Sequence, residues 1–330
     1  SFHFLLFKMA RGVTVPLLVF YHLFGLSFGW TLHLGSNVDT QPINRVLVTG
    51  AAGRTGRLVY EKLKQMDHIE SIALVRSERS ARSLIKNCEK CGLEDVFVCD
   101  VVDGLDVENP PEGMEGIDSM IICTSAVPII SKRSLIPALL KIPINLARGK
   151  KAVDFRLLRF KFKQGQCPEK VDFIGQKAQI ELAKKLGMKK VVLVSSMGSN
   201  DPDHFLNKVG KNPDGSGDGD ILLWKRKAEE LLINSGLSYT IIRPGILTDG
   251  QPGIKDIILD VDDKLMESKE KSIARADVAN LCAAALKVGK EKTVSLDCIS
   301  RVSNGSSLPK SAEEVLQGFI TERETSNKSV

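Results

Sequence analysis

Gly50, Gly53 and Gly56 recur every third residue where the apolar run Val46-Leu-Val-Thr49 gives way to a helical pattern carried by Leu58, Val59 and Leu63. Each glycine meets a separate demand of phosphate chemistry. Gly50 permits the tight turn, Gly53 lets the backbone approach a pyrophosphate, and Gly56 lets the helix pack closely on the strand. The helix start then aims its free N–H groups at the anion. Gly50, Ala52, Gly53, Arg54, Thr55 and Gly56 are therefore the expected phosphate cradle of a dinucleotide site. The spacing is GxxGxxG, not the commoner GxGxxG, and its place between strand and helix gives it weight.

A dinucleotide site that selects NAD sets an acid near the end of its second strand to hold the ribose hydroxyls. Here the second apolar run, Ile72-Ala-Leu-Val75, ends in Arg76-Ser77. A guanidinium matches a 2′-phosphate bidentately. Arg54, inside the glycine loop, is expected to reach the same group, so the residues favour NADP over NAD. Asp100, ending the third run, is expected at the adenine edge. Thr124, Ser125 and Ala126, ending the fourth, are expected beside the nicotinamide half.

These residues need a sheet to hold them. From residue 44 onward, strand-length apolar runs (Val46–Thr49, Ser71–Val75, Val96–Cys99, Ser119–Cys123, Val191–Val194, Tyr239–Ile242, Thr293–Leu296) alternate with helical patterns (Arg57–Gln65, Ser80–Asn87, Val171–Leu186, Ile221–Asn234, Ala276–Leu286). Such alternation predicts an α/β fold: a Rossmann-type, doubly wound parallel sheet with helices on both faces. The predicted division is a Rossmann domain over 41–300 and a polar tail over 301–330. A length of 330 residues, 43% of them apolar, can bury such a core.

Three segments stand apart. Residues 1–40 carry Arg11 ahead of an uncharged run from Val13 to Trp30, the grammar of a targeting segment or, at the lower limit of length, a membrane anchor. Residues 131–163 interrupt the alternation with ten Lys/Arg against the single acid Asp154, more net charge than the +6 of the whole chain. This small insertion lobe reads as a solvated face over the cleft, or as a surface for a protein or an anionic membrane. It interleaves Phe and Leu with its cations, but no nucleic-acid module accompanies it, and nucleic acid is not expected as a partner. Finally, Cys88 and Cys91 have metal-like spacing without a second pair. They read as a surface helix end, and no metal site is expected. Seven scattered cysteines argue against a disulfide framework and for a reducing compartment.

Taken together, Val48-Thr-Gly-Ala-Ala-Gly-Arg-Thr-Gly56, Thr124-Ser-Ala-Val-Pro128, Val171-Asp-Phe-Ile-Gly-Gln-Lys177, Ser195-Ser-Met-Gly198, Asp201-Pro-Asp-His204, Ile221-Leu-Leu-Trp-Lys-Arg-Lys-Ala-Glu229, Ile242-Arg-Pro-Gly245 and Arg275-Ala-Asp-Val278 resemble the atypical short-chain dehydrogenase/reductases. The likeness is to the NAD(P)H-binding, NmrA-like group, in particular a plant and algal subset of small NADP-binding proteins, and it runs from residue 44 to about residue 300. The resemblance implies an NADP(H)-dependent oxidoreductase acting on a small carbonyl or quinone-like acceptor. It equally admits a non-catalytic NADP-binding regulator or assembly factor. With the N-terminal segment, it implies a plastid location, against a cytoplasmic or membrane-anchored one.

Active members of that group use a Tyr-x-x-x-Lys pair and a Ser or Thr, the tyrosine moving the proton. Lys227 matches the lysine, which puts Leu223 in the tyrosine position; Lys225 takes the role if the register slips. Ser196 is the candidate hydroxyl, with Ser195 beside it, and His204 is a substitute acid in principle.

Overall fold

The computed structural model of the chain describes residues 43–88, 90–147, 159–289, 291–302 and 308–328. The expected N-terminal targeting or anchor segment, 1–40, and the basic residues Arg148, Lys150, Lys151 and Arg156 lie outside them.

The first half of the unit is built by β1 (Arg45–Thr49), α1 (Arg54–Leu63), β2 (Glu70–Val75), α2 (Glu78–Lys86), β3 (Val96–Val98) and β4 (Ser119–Ile122). A small lobe follows: β5 (Ile129–Ile130), α3 (Lys132–Leu140), α4 (Ile142–Ala147) and β6 (Phe160–Lys161). A π-helical turn (Glu169–Gly175) then runs into α5 (Gln176–Lys185), followed by β7 (Lys190–Val194), α6 (Phe205–Lys208), α7 (Ile221–Ile233) and β8 (Tyr239–Pro244). The chain closes with β9 (Ile246–Thr248), β10 (Asp256–Asp260), β11 (Ser272–Ala274), α8 (Arg275–Lys287), β12 (Val294–Arg301) and α9 (Ala312–Lys328).

Eight strands form one sheet in the order β10-β12-β8-β7-β4-β1-β2-β3. All neighbours run parallel except β10 against β12. This is the predicted doubly wound sheet with an antiparallel edge added. The strand order reverses between β1 and β4, which opens a crevice at their carboxyl ends.

Alternation along β1 explains the two-sided core. Val46 and Val48 join α1, α8 and α9 on one face, while Leu47 joins α5 and α7 on the other.

Two expectations are corrected. The polar tail after residue 300 contains α9, whose Ala312, Leu316 and Ile320 are buried against the α1–α8 face. Their i, i+4, i+8 spacing makes one helical stripe in an otherwise polar sequence. Cys88 and Cys91 do not sit on a surface helix end: both are buried and joined as a disulfide.

Candidate functional site

The glycine loop forms a cradle of bare backbone. Gly50 takes φ +65°, and a Cβ there would sit 2.9 Å from the carbonyl carbon and oxygen of Cys123. Only glycine fits both the dihedral and that gap. A Cβ on Gly56 would overlap the Gly50 carbonyl oxygen, so α1 can lie close to the end of β1 only without a side chain there. Gly53 donates its N–H to Gly50 O at 2.8 Å and heads α1, which has neither a capping side chain nor an acid in its first turn. The N–H groups of that turn have no intrahelical acceptor, and the helix dipole adds positive potential. A pyrophosphate supplies the acceptor oxygens that this helix start lacks, so the residues fit a dinucleotide.

A cleft of about 250 Å³ lies at the carboxyl ends of β1 to β4, lined by Gly50, Ala52, Gly53, Arg76, Asp100, Thr124 and Ser125 among others. One chain of polar contacts crosses it. Arg76 Nη1 donates to Gln166 Oε1 at 2.6 Å, and Gln166 Nε2 donates to Asp100 Oδ2 at 3.0 Å. Arg76 therefore sits at the end of β2 as expected. Arg54 does not join it: its guanidinium is exposed and faces Asp249 at 3.7 Å. Asp249 is held in turn by Arg275 Nη1 at 2.6 Å. The two arginines that the sequence sends to one phosphate thus have different partners in the structure.

The nicotinamide-side candidates also divide. Thr124 is fixed by Gln176, which donates to its carbonyl at 3.0 Å, and by Gln179, which donates to its hydroxyl at 3.2 Å. Ser125 is exposed in the cleft, whereas Ala126 is buried and gives its N–H to Asp172 Oδ2 at 2.9 Å. Ser195 is buried, and its N–H continues the sheet to Ile242 O at 2.8 Å.

The two candidate lysines part company in the structure. Lys225, not Lys227, enters the interior, where its Nζ lies 2.7 Å from Asp172 Oδ1. Burial pushes the Cys123 thiol up to about 12, against the opposing charge of Lys225. Lys227 lies on a different side of α7, 4.0 Å above the Trp224 ring. Four residues before Lys225 stands Ile221, and four before Lys227 stands Leu223. Neither can transfer a proton.

Ser196 and His204 flank the loop after β7. Ser196 Oγ donates to Met197 O at 3.1 Å. His204 Nδ1 accepts the Leu206 N–H at 3.3 Å, so in the neutral ring the proton is assigned to Nε2. The same ring packs on Gly198, whose φ of +84° needs glycine. Asp263 clamps this loop through the N–H of Gly198 at 2.7 Å and of Asn200 at 3.2 Å.

Behind it, Asp297 accepts the Asp263 N–H at 2.7 Å, and Arg243 grips Glu229 of α7 at 2.7 Å. Burial pushes the Asp297 carboxyl up to about 6, against the pull of the Asp263 N–H. This network locks α7, β8 and β12 behind the site.

A family model described as NAD(P)H-binding matches residues 50–288, from the first cradle glycine to the end of α8. The chain belongs to the NAD(P)H-binding family. Among the relatives of this NAD(P)H-binding protein is sanguinarine reductase of Eschscholzia californica, 41% identical over 78% of this chain and 89% of that protein. An uncharacterized chloroplastic protein of Arabidopsis thaliana is 40% identical over 79% of this chain and 71% of its own length. Protein TIC 62 of the same plant's chloroplast is 28% identical over 76% of this chain but only 35% of its own length.

A putative NAD-dependent epimerase/dehydratase from Bacillus halodurans has the same fold, with TM-score 0.57 and 22% identity over 83% of this chain and 99% of that one. The family and the 41%-identical relative bear out an NAD(P)H-binding oxidoreductase, and neither names this chain's substrate.

Sequence reasoning missed Gln166, Asp172 and Ser80. Gln166 comes from the segment before the π turn, where no motif announces a cleft residue, and Asp172 lies inside the Val171–Lys177 motif without having been assigned a role. A π turn in an otherwise α-helical stretch is itself a frequent mark of a functional site.

Proposed function

We propose that the protein is an NADPH-dependent reductase of a small quinone-like or carbonyl acceptor, working in a plastid. The observation that carries the NADP preference is Arg76, which lines the cleft at the end of β2 where an NAD site holds an acid. The uncapped first turn of α1 holds the pyrophosphate, and Ser80 and Gln166 frame the adenosine ribose.

When bound, the dihydronicotinamide supplies a hydride. Lys225, paired with Asp172, would hold the nicotinamide ribose, and Asp172 in turn fixes the Ala126 backbone. With Ile221 four residues before Lys225, the candidate proton donors on the loop after β7 are Ser196 Oγ and His204 Nε2. An acceptor that tolerates slow or solvent-borne protonation suits that arrangement, which is why a quinone-like acceptor fits best. The plastid location is supported by the chloroplastic names of two relatives and by the targeting grammar of residues 1–40.

The missing tyrosine also favours a second reading, a non-catalytic NADP-binding regulator. NADPH oxidation followed by absorbance across a panel of quinones and aldehydes separates the two. Turnover of a quinone supports the reductase, while tight NADPH binding without turnover of any acceptor leaves the regulator. For the cofactor, Arg76→Asp is expected to weaken NADPH binding by about 10- to 100-fold, the worth of one or two charge-assisted hydrogen bonds. NADH binding should change little, and an equal loss for both nucleotides would show that Arg76 does not read the 2′-phosphate.

A further inference from the structure

The lobe between β4 and the π turn carries its apolar side chains on the outside. Ile129, Ile130, Leu135, Ile136, Leu139 and Leu140 are all exposed, from 37% for Leu135 to 70% for Leu140. On α3, Leu135, Ile136, Leu139 and Leu140 follow Lys132 at i+3, i+4, i+7 and i+8 and so share one stripe, while Ser134 on the opposite side is buried. Ser134 fastens the helix by donating its hydroxyl to Ser131 O at 2.8 Å and accepting the Arg159 N–H at 2.9 Å. The apolar stripe is thus directed outward by the way the helix is tied down.

Cations surround it. Lys132, Arg133, Lys141, Arg159, Lys161 and Lys163 are exposed, and residues 127–147 and 159–168 contain no carboxylate. An apolar stripe rimmed by cations without acids is the composition of a surface that lies on an anionic bilayer. A second copy of the chain fits less well. In a two-fold contact each patch meets itself, which sets these cations against their own images. A bilayer of acidic lipid takes the apolar side chains between its acyl chains and the cations among its headgroups at once.

We propose that the lobe docks on anionic membrane surfaces through the exposed stripe of α3 and the β5–β6 ribbon, with the cleft mouth at Val127 held next to the membrane. The proposal does not depend on which nucleotide the cleft takes.

The test is sedimentation of the full chain with vesicles of phosphatidylcholine alone and of phosphatidylcholine mixed with phosphatidylglycerol. Binding is expected to the mixed vesicles only, and to fall with added salt. Ile136→Asp/Leu140→Asp is expected to abolish it. Lys132→Glu/Arg133→Glu should weaken it at least about tenfold, since each cation near such a surface is worth roughly fivefold. All four positions are exposed, so NADPH binding and the melting temperature should stay at wild-type values.

Equal binding to both kinds of vesicle overturns the proposal, as does wild-type binding by either variant, which would assign the contact to another part of the chain. So does a wild-type dimer that the Ile136→Asp/Leu140→Asp variant converts to monomer, because the stripe would then cover a second copy.

Discussion

At the scale of single residues, two lysines one turn-fraction apart on α7 have opposite fates. Lys225 is buried against Asp172, whereas Lys227 rests over an indole ring at the surface. Removing one partner of a buried ion pair strands the other charge and typically costs about 3–5 kcal/mol. Lys225→Met is therefore expected to lower unfolding stability by about that amount, and Lys227→Met by no more than about 1 kcal/mol. Adding Asp172→Asn to Lys225→Met should recover part of the loss. Urea denaturation of the three variants measures all of this, and equal costs for the two lysines would contradict the assignment. The Lys-x-x-x spacing was visible in the sequence, but which lysine turns inward depends on where α7 begins. Asp220 at its head takes φ +63°, a backbone choice that no residue pattern announced.

At the scale of elements, the glycine cradle, the parallel strands of the main sheet and the helices α1, α2, α5, α7 and α8 were legible because two-sided burial imposes continuous apolar runs and amphipathic stripes. What escaped has a common physical cause. β9 and β10 carry little buried surface and β11 is only three residues long, so none of them shows a clean alternation. α9 announces itself through a thin stripe of three apolar residues and a local signal: Ser311 accepts from the Glu314 N–H, while Glu314 accepts from the Ser311 N–H, a reciprocal cap.

Nor did any pattern mark Lys190. It starts β7, is fully buried, and donates to the carbonyls of Gly289 at 2.9 Å and Lys292 at 2.7 Å, tying that strand to the chain beyond α8. Burial pushes its ammonium down to about 7 from 10.5. Between those values the unfolded chain binds the extra proton, so this lysine's contribution to stability rises with pH across that window and is least below about 7. The stability difference between wild type and Lys190→Met, measured by denaturant melts from pH 6.5 to 10, should move in favour of wild type as pH rises. A difference independent of pH would mean that the two carbonyls hold the charge in place.

At the scale of the whole molecule, the cleft gathers contributions from distant stretches of chain: Gly50 from β1's end, Arg76 from β2's, and Gln166 from beyond the basic lobe. The sheet places the first two, and their positions follow from strand order alone. Gln166 arrives by a tertiary route, through a segment whose sequence resembles nothing so much as a solvated loop.

The bare first turn of α1 has a consequence at this scale. With Gly53 as its N-cap and no acid in its first turn, the helix gives up only a few tenths of a kcal/mol that an Asp or Ser cap would contribute, but a bound dinucleotide fills the same N–H groups and adds its other contacts. A ligand that binds only the folded chain adds about 2.7 kcal/mol at a hundredfold excess over its dissociation constant. NADPH should accordingly raise the melting temperature by several degrees more than NADH at equal concentration, and equal shifts would speak against the preference. In a cell, chains without nucleotide unfold more often and meet proteases more often. The amount of this protein should then follow the supply of its nucleotide, making its half-life a gauge of the local dinucleotide pool.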